Sequence, residues 1–341
     1  MILYDPSVPV SIDEFGIQIP VRDSRAVKTF AALLADPGLK PFQTKWHCKH
    51  IDESLCREDL LRVHSADYVE RLYADGLERE LITTYELIDE QGRYHRYAPE
   101  SASRPLTDLF ARLLLKAAGT VQGARIALTK GFCFSFTGGA HHARRDTGYG
   151  FCLLNDVVIA ARKLQHEKKV KQVWVIDVDA HKGDGTAALT SGDDSIRTLS
   201  VHMARGWPLD GPRILADGSV NPSFLPSDID IPVDSGEEHL YLERLRDGLG
   251  RLERWPGPDL AIVVCGADPY EKDELPSASL LKLSLQQMFA RDRLIYTWLQ
   301  ERKIPSVFVM AGGYGDEVWR VYAQFLRWVL NRRCLQGGRM L

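Results

Sequence analysis

No two cysteines in this chain stand in a Cys-x-x-Cys pair. The six of them, Cys48, Cys56, Cys133, Cys152, Cys265 and Cys334, are scattered over 341 residues. That spacing argues against a disulfide scaffold and reads as the reduced thiols of a cytoplasmic protein. An excess of charge of either sign is also missing. The 43 Lys and Arg nearly balance the 46 Asp and Glu, for a formal net charge of −3. There is no basic stripe, so nucleic-acid binding by phosphate neutralisation leaves no footprint. No apolar run approaches the ~20 residues needed to span a bilayer, and no membrane contact is expected. The start, MILYDPSVPVSIDEFG, has no positively charged region followed by an apolar core, so no signal peptide is read there. Internal repeats and low-complexity segments are absent as well. What remains is ample chain for one large core, expected as a single domain over residues 1–341.

The chain is organised around residues 173–185, VWVIDVDAHKGDG. Its first four residues are apolar and too few for a helix period, so they read as a strand buried on both faces, as in a parallel sheet. Similar runs stand at 132–136, 195–201, 229–233, 260–265 and 306–310, and a shorter one at 1–4 reads as an edge strand. Helical spacing covers 24–34, 106–128, a stretch from Asn155 or Asp156 to about 169, and 239–254, with an interrupted helix over 59–76. Residues 86–104 are polar and read as a surface loop whose acids, Glu86, Asp89, Glu90 and Glu100, are solvated. His47 and His50 could share one helical turn but lack further ligands, and His64 reads as a structural histidine. Strands alternating with helices predict a doubly wound α/β sheet.

The polar residues collect where the strands end. Asp177, Asp179 and His181 follow the central strand, two apart, so an extended backbone sends them to one side. Carboxylates buried there need a proton, a cation or a metal. His141-His142 follow the strand at 132–136 after Gly138-Gly139. Asp268 follows 260–265 after Gly266, and Tyr314 sits in AGGYG after 306–310. Open α/β sheets bind ligands at this edge. Asp179, His181 and Asp268 supply three ligands of the kind zinc takes, leaving a position open, which is the catalytic arrangement. A neighbouring histidine can move a proton and a tyrosine hydroxyl can donate to an oxyanion, which together point to hydrolysis of an amide or related acyl bond.

GGAHHA, GYGFCLLND, VIDVDAHKGDGT, GAD followed by Asp273, and AGGYG occur in the order and spacing of the zinc-dependent histone deacetylase superfamily, which includes bacterial acetylpolyamine amidohydrolases. The chain resembles its bacterial and class IV-like members. The resemblance implies a single arginase-like α/β domain with a mainly parallel eight-stranded sheet and helices on both faces. It implies Zn2+ on Asp179, His181 and Asp268, a general base and acid at His142, and an auxiliary electrostatic role for His141. Asp177 and Asp184 would orient the two histidines, and Tyr314 would polarise the scissile carbonyl. Gly150 and Phe151 would line an acyl-lysine channel with Trp207 as an aromatic wall. A structural K+ would sit on Asp177 and Ser200 with the carbonyls of Asp179, His181 and Val201. The implied substrate is an acylated lysine of a protein or peptide, or alternatively an acetylated polyamine or other small amine.

The pattern departs from the family at Lys182, where many relatives carry His or Gln, and at Pro276, where Gly is usual. Neither position is a ligand. A two-manganese ureohydrolase is disfavoured because Gly183 occupies a place where a carboxylate is required. A non-catalytic acyl-lysine binding module is disfavoured because His142 and Tyr314 are both present. Nothing in the sequence fixes the oligomeric state, and a homo-oligomer is compatible with it.

Overall fold

The structure, a computed structural model, describes residues 1–337. The expected domain span runs to residue 341, and its last four residues lie outside the described part. Eight strands form one sheet: β1 (Ile2–Leu3), β2 (His47–Cys48), β3 (Phe132–Ser135), β4 (Val173–Asp177), β5 (Ile196–Met203), β6 (Ile229–Val233), β7 (Leu260–Val264) and β8 (Ser306–Val309). Their order is β2-β1-β3-β8-β7-β4-β5-β6. Every pairing is parallel.

The apolar runs are continuous because both faces of the sheet are covered. On one face Phe132, Phe134, Trp174, Ile176, Ala261, Val263 and Phe308 join a core with the helices Ser24–Leu34, Tyr241–Leu252, Leu285–Glu301 and Trp319–Gly337. On the other, Cys133, Val173, Val175, Leu260, Ile262 and Val307 pack on the helices Leu109–Lys130 and Asp156–His166. The alternation of these two sets along each strand is the period-two pattern of a pleated chain. The central strands β4 and β7 are apolar along their length until Asp177, which ends β4. A third cluster, built from residues 12–19 and the helices Ala66–Tyr73 and Leu77–Thr84, packs against Leu153, Leu154, Val158 and Ile159.

Two expectations change. The run at 1–4 is not an edge: β1 lies between β2 and β3, and the edge belongs to β2. His47 is therefore in a strand, not a helical turn, and its Nε2 meets the Tyr4 carbonyl at 2.9 Å. Two-residue strands carry no periodicity, which is why β2 is invisible in the sequence. His50 is 62% exposed and stands 3.7 Å from Asp5, as expected of a surface histidine.

The sheet order decides where the chemistry goes. Strands β3, β8, β7 and β4 are consecutive neighbours, so the four loops that leave their carboxyl ends lie side by side. Arg291, fully buried, fastens two of them. Its Nη1 donates to the carbonyls of Val178 at 2.9 Å and Gly266 at 2.8 Å, while its Nε donates to Asp292. A charge-assisted bond to each loop fixes Asp179 relative to Asp268.

Candidate active site

Asp179, His181 and Asp268 come together, all buried, with one ligand atom from each within 4.8 Å of the others. His181 Nδ1 lies 3.0 Å from Asp268 Oδ2 and 3.2 Å from Asp179 Oδ1. Its Nε2 instead faces Ser277 Oγ at 3.3 Å. Nδ1 is thus the nitrogen turned to the carboxylates, a choice the sequence does not reveal. Burial works against an imidazolium here, but the hydrogen bonds to the two carboxylates raise His181 to about 10. Burial and Asp179 push the Asp268 carboxyl up to about 7. Two carboxylates packed this tightly away from water want a cation. The backbone makes room for one. A Cβ at Gly266 or Gly312 would come within 2.3 Å or 2.5 Å of Asp179 Oδ2. The oxygen-and-nitrogen donor set, three residues with no fourth ligand among the described residues, fits zinc or a similar divalent ion in an open site.

The histidine pair sits in a turn with ring centroids 3.9 Å apart, yet each ring takes its own carboxylate. His141 Nδ1 bonds Asp177 Oδ2 at 2.6 Å and His142 Nδ1 bonds Asp184 Oδ1 at 2.7 Å. With Nδ1–H donated to a carboxylate, the Nε2 of His142 is left as the available lone pair. The two rings part in charge. Burial opposes protonation of both, but Asp177 and Asp179 raise His141 to about 9. His142 falls to about 4, through burial and the neighbouring His141, despite Asp184. A neutral imidazole beside an imidazolium is a proton acceptor beside a fixed positive charge.

Asp184 is held ionised, at about 2, where bonds to His142 and the Arg144 charge outweigh burial. It opens the short helix Asp184–Thr190, hidden in the sequence by Gly183 and Gly185. Asp177 takes a different place from the one its spacing suggests. It ends β4, pairs with Ser200 in the β5 register, and serves His141 rather than the ligand cluster. Ser200 Oγ lies 3.1 Å from His202 Nδ1.

Tyr314 is positioned by Asp273, whose Oδ2 accepts its backbone N–H at 2.7 Å and whose Oδ1 accepts that of Leu275 at 2.8 Å. Burial, then Asp268 and Asp179, hold the Tyr314 phenol well above its ordinary pKa, so it keeps its proton. Asn155, not Asp156, caps the helix Asp156–His166, accepting from Val158 N at 3.1 Å. Its amide also donates to the carbonyl of Ala143 at 3.2 Å, bracing the histidine loop. Asp156 accepts from Gly139 N at 3.0 Å and Ala140 N at 2.7 Å on the same loop. His64 behaves as expected. Its Nε2 accepts from Asn155 N at 3.2 Å, so its Nδ1–H donates to the Arg144 carbonyl at 2.8 Å.

Two concavities meet at this centre. One, of about 100 Å3, is lined by Gly150, Phe151, Trp207, Leu275, Ser277, Glu86 and Arg96 and reaches His142, His181 and Tyr314. Trp207 stacks on Tyr149 at 5.2 Å and stands edge-on to His142 at 4.5 Å. Gly150 is required beneath it: φ is +54° and a Cβ would come within 2.2 Å of the indole. Glu86, Arg96 and Phe151 are non-glycine residues with φ of 53°, 54° and 65°, conformations usually kept where geometry matters. Glu86 therefore is not simply solvated. It pairs with Arg96, and Arg96 lies over the Phe151 ring at 5.5 Å. Asp89 does stay at the surface, bonded to Arg93. The other concavity lies on the far side of the catalytic residues. Lys182 reaches away from the site, donating to the Leu225 carbonyl at 2.7 Å. Pro276 opens the 3-10 turn Pro276–Ala278 that carries Ser277.

The Histone deacetylase domain profile matches residues 19–330. The chain belongs to the histone deacetylase family. It is similar to histone deacetylase 2 of Arabidopsis thaliana, 27% identical over 60% of this chain and 50% of that protein. It is also similar to the acetoin utilization protein AcuC of Bacillus subtilis, 27% identical over 77% of this chain and 65% of that one. The chain thus spans between half and two thirds of the length of these curated relatives. Its fold matches that of an acetylpolyamine aminohydrolase from Burkholderia pseudomallei, with a TM-score of 0.67 at 20% identity, covering 96% of this chain and 97% of the other. The single α/β domain with an eight-stranded, mainly parallel sheet that the resemblance implies is thus present, all its pairings parallel, and the chain shares its fold with that structure.

Proposed function

We propose that residues 1–341 act as one catalytic domain, a zinc-dependent deacylase that hydrolyses the amide of N-acetyl-lysine, or a related acyl-lysine, in a protein or peptide. The observation that carries this reading is the convergence of the Asp179, His181 and Asp268 cluster, the His142–Asp184 pair and Tyr314 at the junction of two concavities. A divalent ion held by Asp179, His181 and Asp268 supplies Lewis-acid chemistry, polarising an acyl oxygen and acidifying water. The remaining work falls to the chain. His142 Nε2 accepts the proton of the attacking water and returns it to the leaving amine, with Asp184 holding the ring and its tautomer. His141, kept charged by Asp177, adds positive potential beside it. The Tyr314 hydroxyl donates to the acyl oxygen as negative charge grows there. Gly150, Phe151 and Trp207 wall the channel and shield the reacting amide from water. On the same reading, a structural K+ would be held by Asp177, Ser200 and the carbonyls of Asp179, His181 and Val201. The register pairing of Asp177 with Ser200 supports that placement.

A second substrate class, acetylated polyamines, draws on Glu86 at the channel mouth. Arg96 already neutralises that carboxylate, so the rim offers a polycation little net negative charge. Among the described residues no helix is long and apolar enough to cross a membrane, and all six cysteines are free. Both facts support a reading of cytoplasmic action on acylated amines.

Tyr314→Phe tests the assignment. The loop is held through the Tyr314 backbone N–H, which the substitution keeps, so the variant folds and keeps its metal. Loss of one oxyanion donor lowers kcat by ~10²–10³. Near-full turnover in a steady-state assay on acetyl-lysine peptide would remove Tyr314 from the mechanism.

A further inference from the structure

The concavity on the far side of the catalytic residues, about 150 Å3, is far larger than the roughly 10–15 Å3 one water needs. It shares His142, Gly150, Phe151, His181 and Tyr314 with the channel. An amide held at those shared residues, with its amine in the channel, directs its acyl group into this cavity. Much of the wall is apolar, including Val10, Ile12, Leu113, Phe136 and Met310. Besides the catalytic histidines, two cations interrupt it, Arg25 and Lys116.

Neither cation has an acid for a partner among the described residues; both donate to carbonyls. Arg25 Nη1 donates to Ala311 O at 2.9 Å and Gly313 O at 3.0 Å, and its Nε is buried with no partner. Lys116 Nζ, with three hydrogens to give, donates only to Val10 O at 3.2 Å. Asp156 and Asp179 also line the cavity, but the oxygens of Asp156 are taken by Thr120, Gly139 and Ala140, and Asp179 belongs to the ligand cluster. Asp23, the acid that acts on Lys116, accepts from Val10 N and Ser11 N. Burial, then Arg25 and Arg112, push the Lys116 ammonium down to about 7, as expected of a cation without a counter-charge. Positive charge without an acidic partner in a recessed, partly apolar space favours an anion.

We propose that this cavity accepts acyl groups ending in a carboxylate, of the succinyl and glutaryl class, with Lys116 as the residue that selects them. The inference rests on the deacylase reading and specifies its acyl group. In the hydrolysis, water adds to the acyl carbon, the carbon–nitrogen bond breaks, lysine leaves as its protonated amine, and a dicarboxylate is released. The apolar walls suit the methylene chain and the ammonium meets the terminal carboxylate.

The test uses the metal-loaded full chain and one peptide carrying acetyl-, succinyl-, glutaryl-, valeryl- or hexanoyl-lysine. Valeryl and hexanoyl match succinyl and glutaryl in chain length without the charge. The charged member of each pair is expected to show kcat/KM about tenfold or more above its neutral match, the scale of one charge-assisted bond. Lys116→Met should bring that ratio to one or below, and Lys116→Arg should keep most of it. Preference for the neutral chains, or a ratio unchanged in Lys116→Met, would overturn the inference. Hydrolysis of acetyl-lysine with no turnover of either charged acyl group would overturn it while leaving the deacylase reading intact. If no acyl-lysine is hydrolysed, the deacylase reading fails, and calorimetric binding of the same peptides decides the cavity. Tighter binding of glutaryl than hexanoyl peptide, lost in Lys116→Met, would support the site; equal affinities would overturn it.

Discussion

Asp179→Ala is expected to leave the protein without bound metal and without measurable deacylation. Among the described residues three protein ligands converge, Asp179, His181 and Asp268, so losing one removes a third of the donor set. What remains is a histidine and a carboxylate, too few to hold zinc in an open site. Asp179 also accepts from His181 N at 3.1 Å and Gly312 N at 2.9 Å, so the variant loses some native stability too. The separate readout is metal-induced stabilisation. Zinc at about a hundredfold its Kd should stabilise the wild-type protein by ~2.7 kcal/mol, seen as a rise in Tm. The variant should show no rise. A folded Asp179→Ala protein that still carries stoichiometric zinc would contradict the ligand assignment.

His142→Ala should lower kcat by ~10²–10⁴, the usual worth of a positioned general acid–base, while metal content stays at the wild-type level. The variant is expected to fold because Asp184 does not lose its company. It still accepts from Arg144 at 2.8 Å and Ser223 at 3.1 Å. His141→Ala serves as the contrast. Its imidazolium neutralises Asp177 at 2.6 Å, so removing it leaves a buried carboxylate unpaired and costs stability as well as rate. Turnover in His142→Ala close to wild type would transfer the proton-moving role to another group.

Much of this site was legible because strand ends are where a parallel sheet changes from apolar to polar. The runs before Asp177, Asp268, His141 and Tyr314 are mostly apolar, and glycines follow closely the strands that lead to Asp268, His141 and Tyr314. What could not be read was the arrangement across loops. Asp177 and Asp179 are two residues apart, yet the strand stops between them, so one serves His141 and the other the ligand cluster. Asn155 and Asp156 are both good caps by composition; only the fold shows that one caps the helix and the other holds the histidine loop. Arg291 sits beside Asp292 and Arg293 in its helix, and Lys116 is a single charge in an apolar helical run. Nothing in their local pattern says that one ties two ligand loops together and the other faces a cavity. Glu86 and Arg96 lie in a polar segment without periodicity, and the left-handed backbone that brings them to the channel mouth has no glycine to announce it.

The central claim is that one divalent ion on Asp179, His181 and Asp268 enables hydrolysis of an acyl-lysine amide. The direct measurement is metal content of the purified protein together with acetyl-lysine hydrolysis before and after chelation. The account predicts one zinc per chain and release of acetate that chelator abolishes and added zinc restores. Two metals per chain, or turnover that persists in fully metal-free protein, would contradict it.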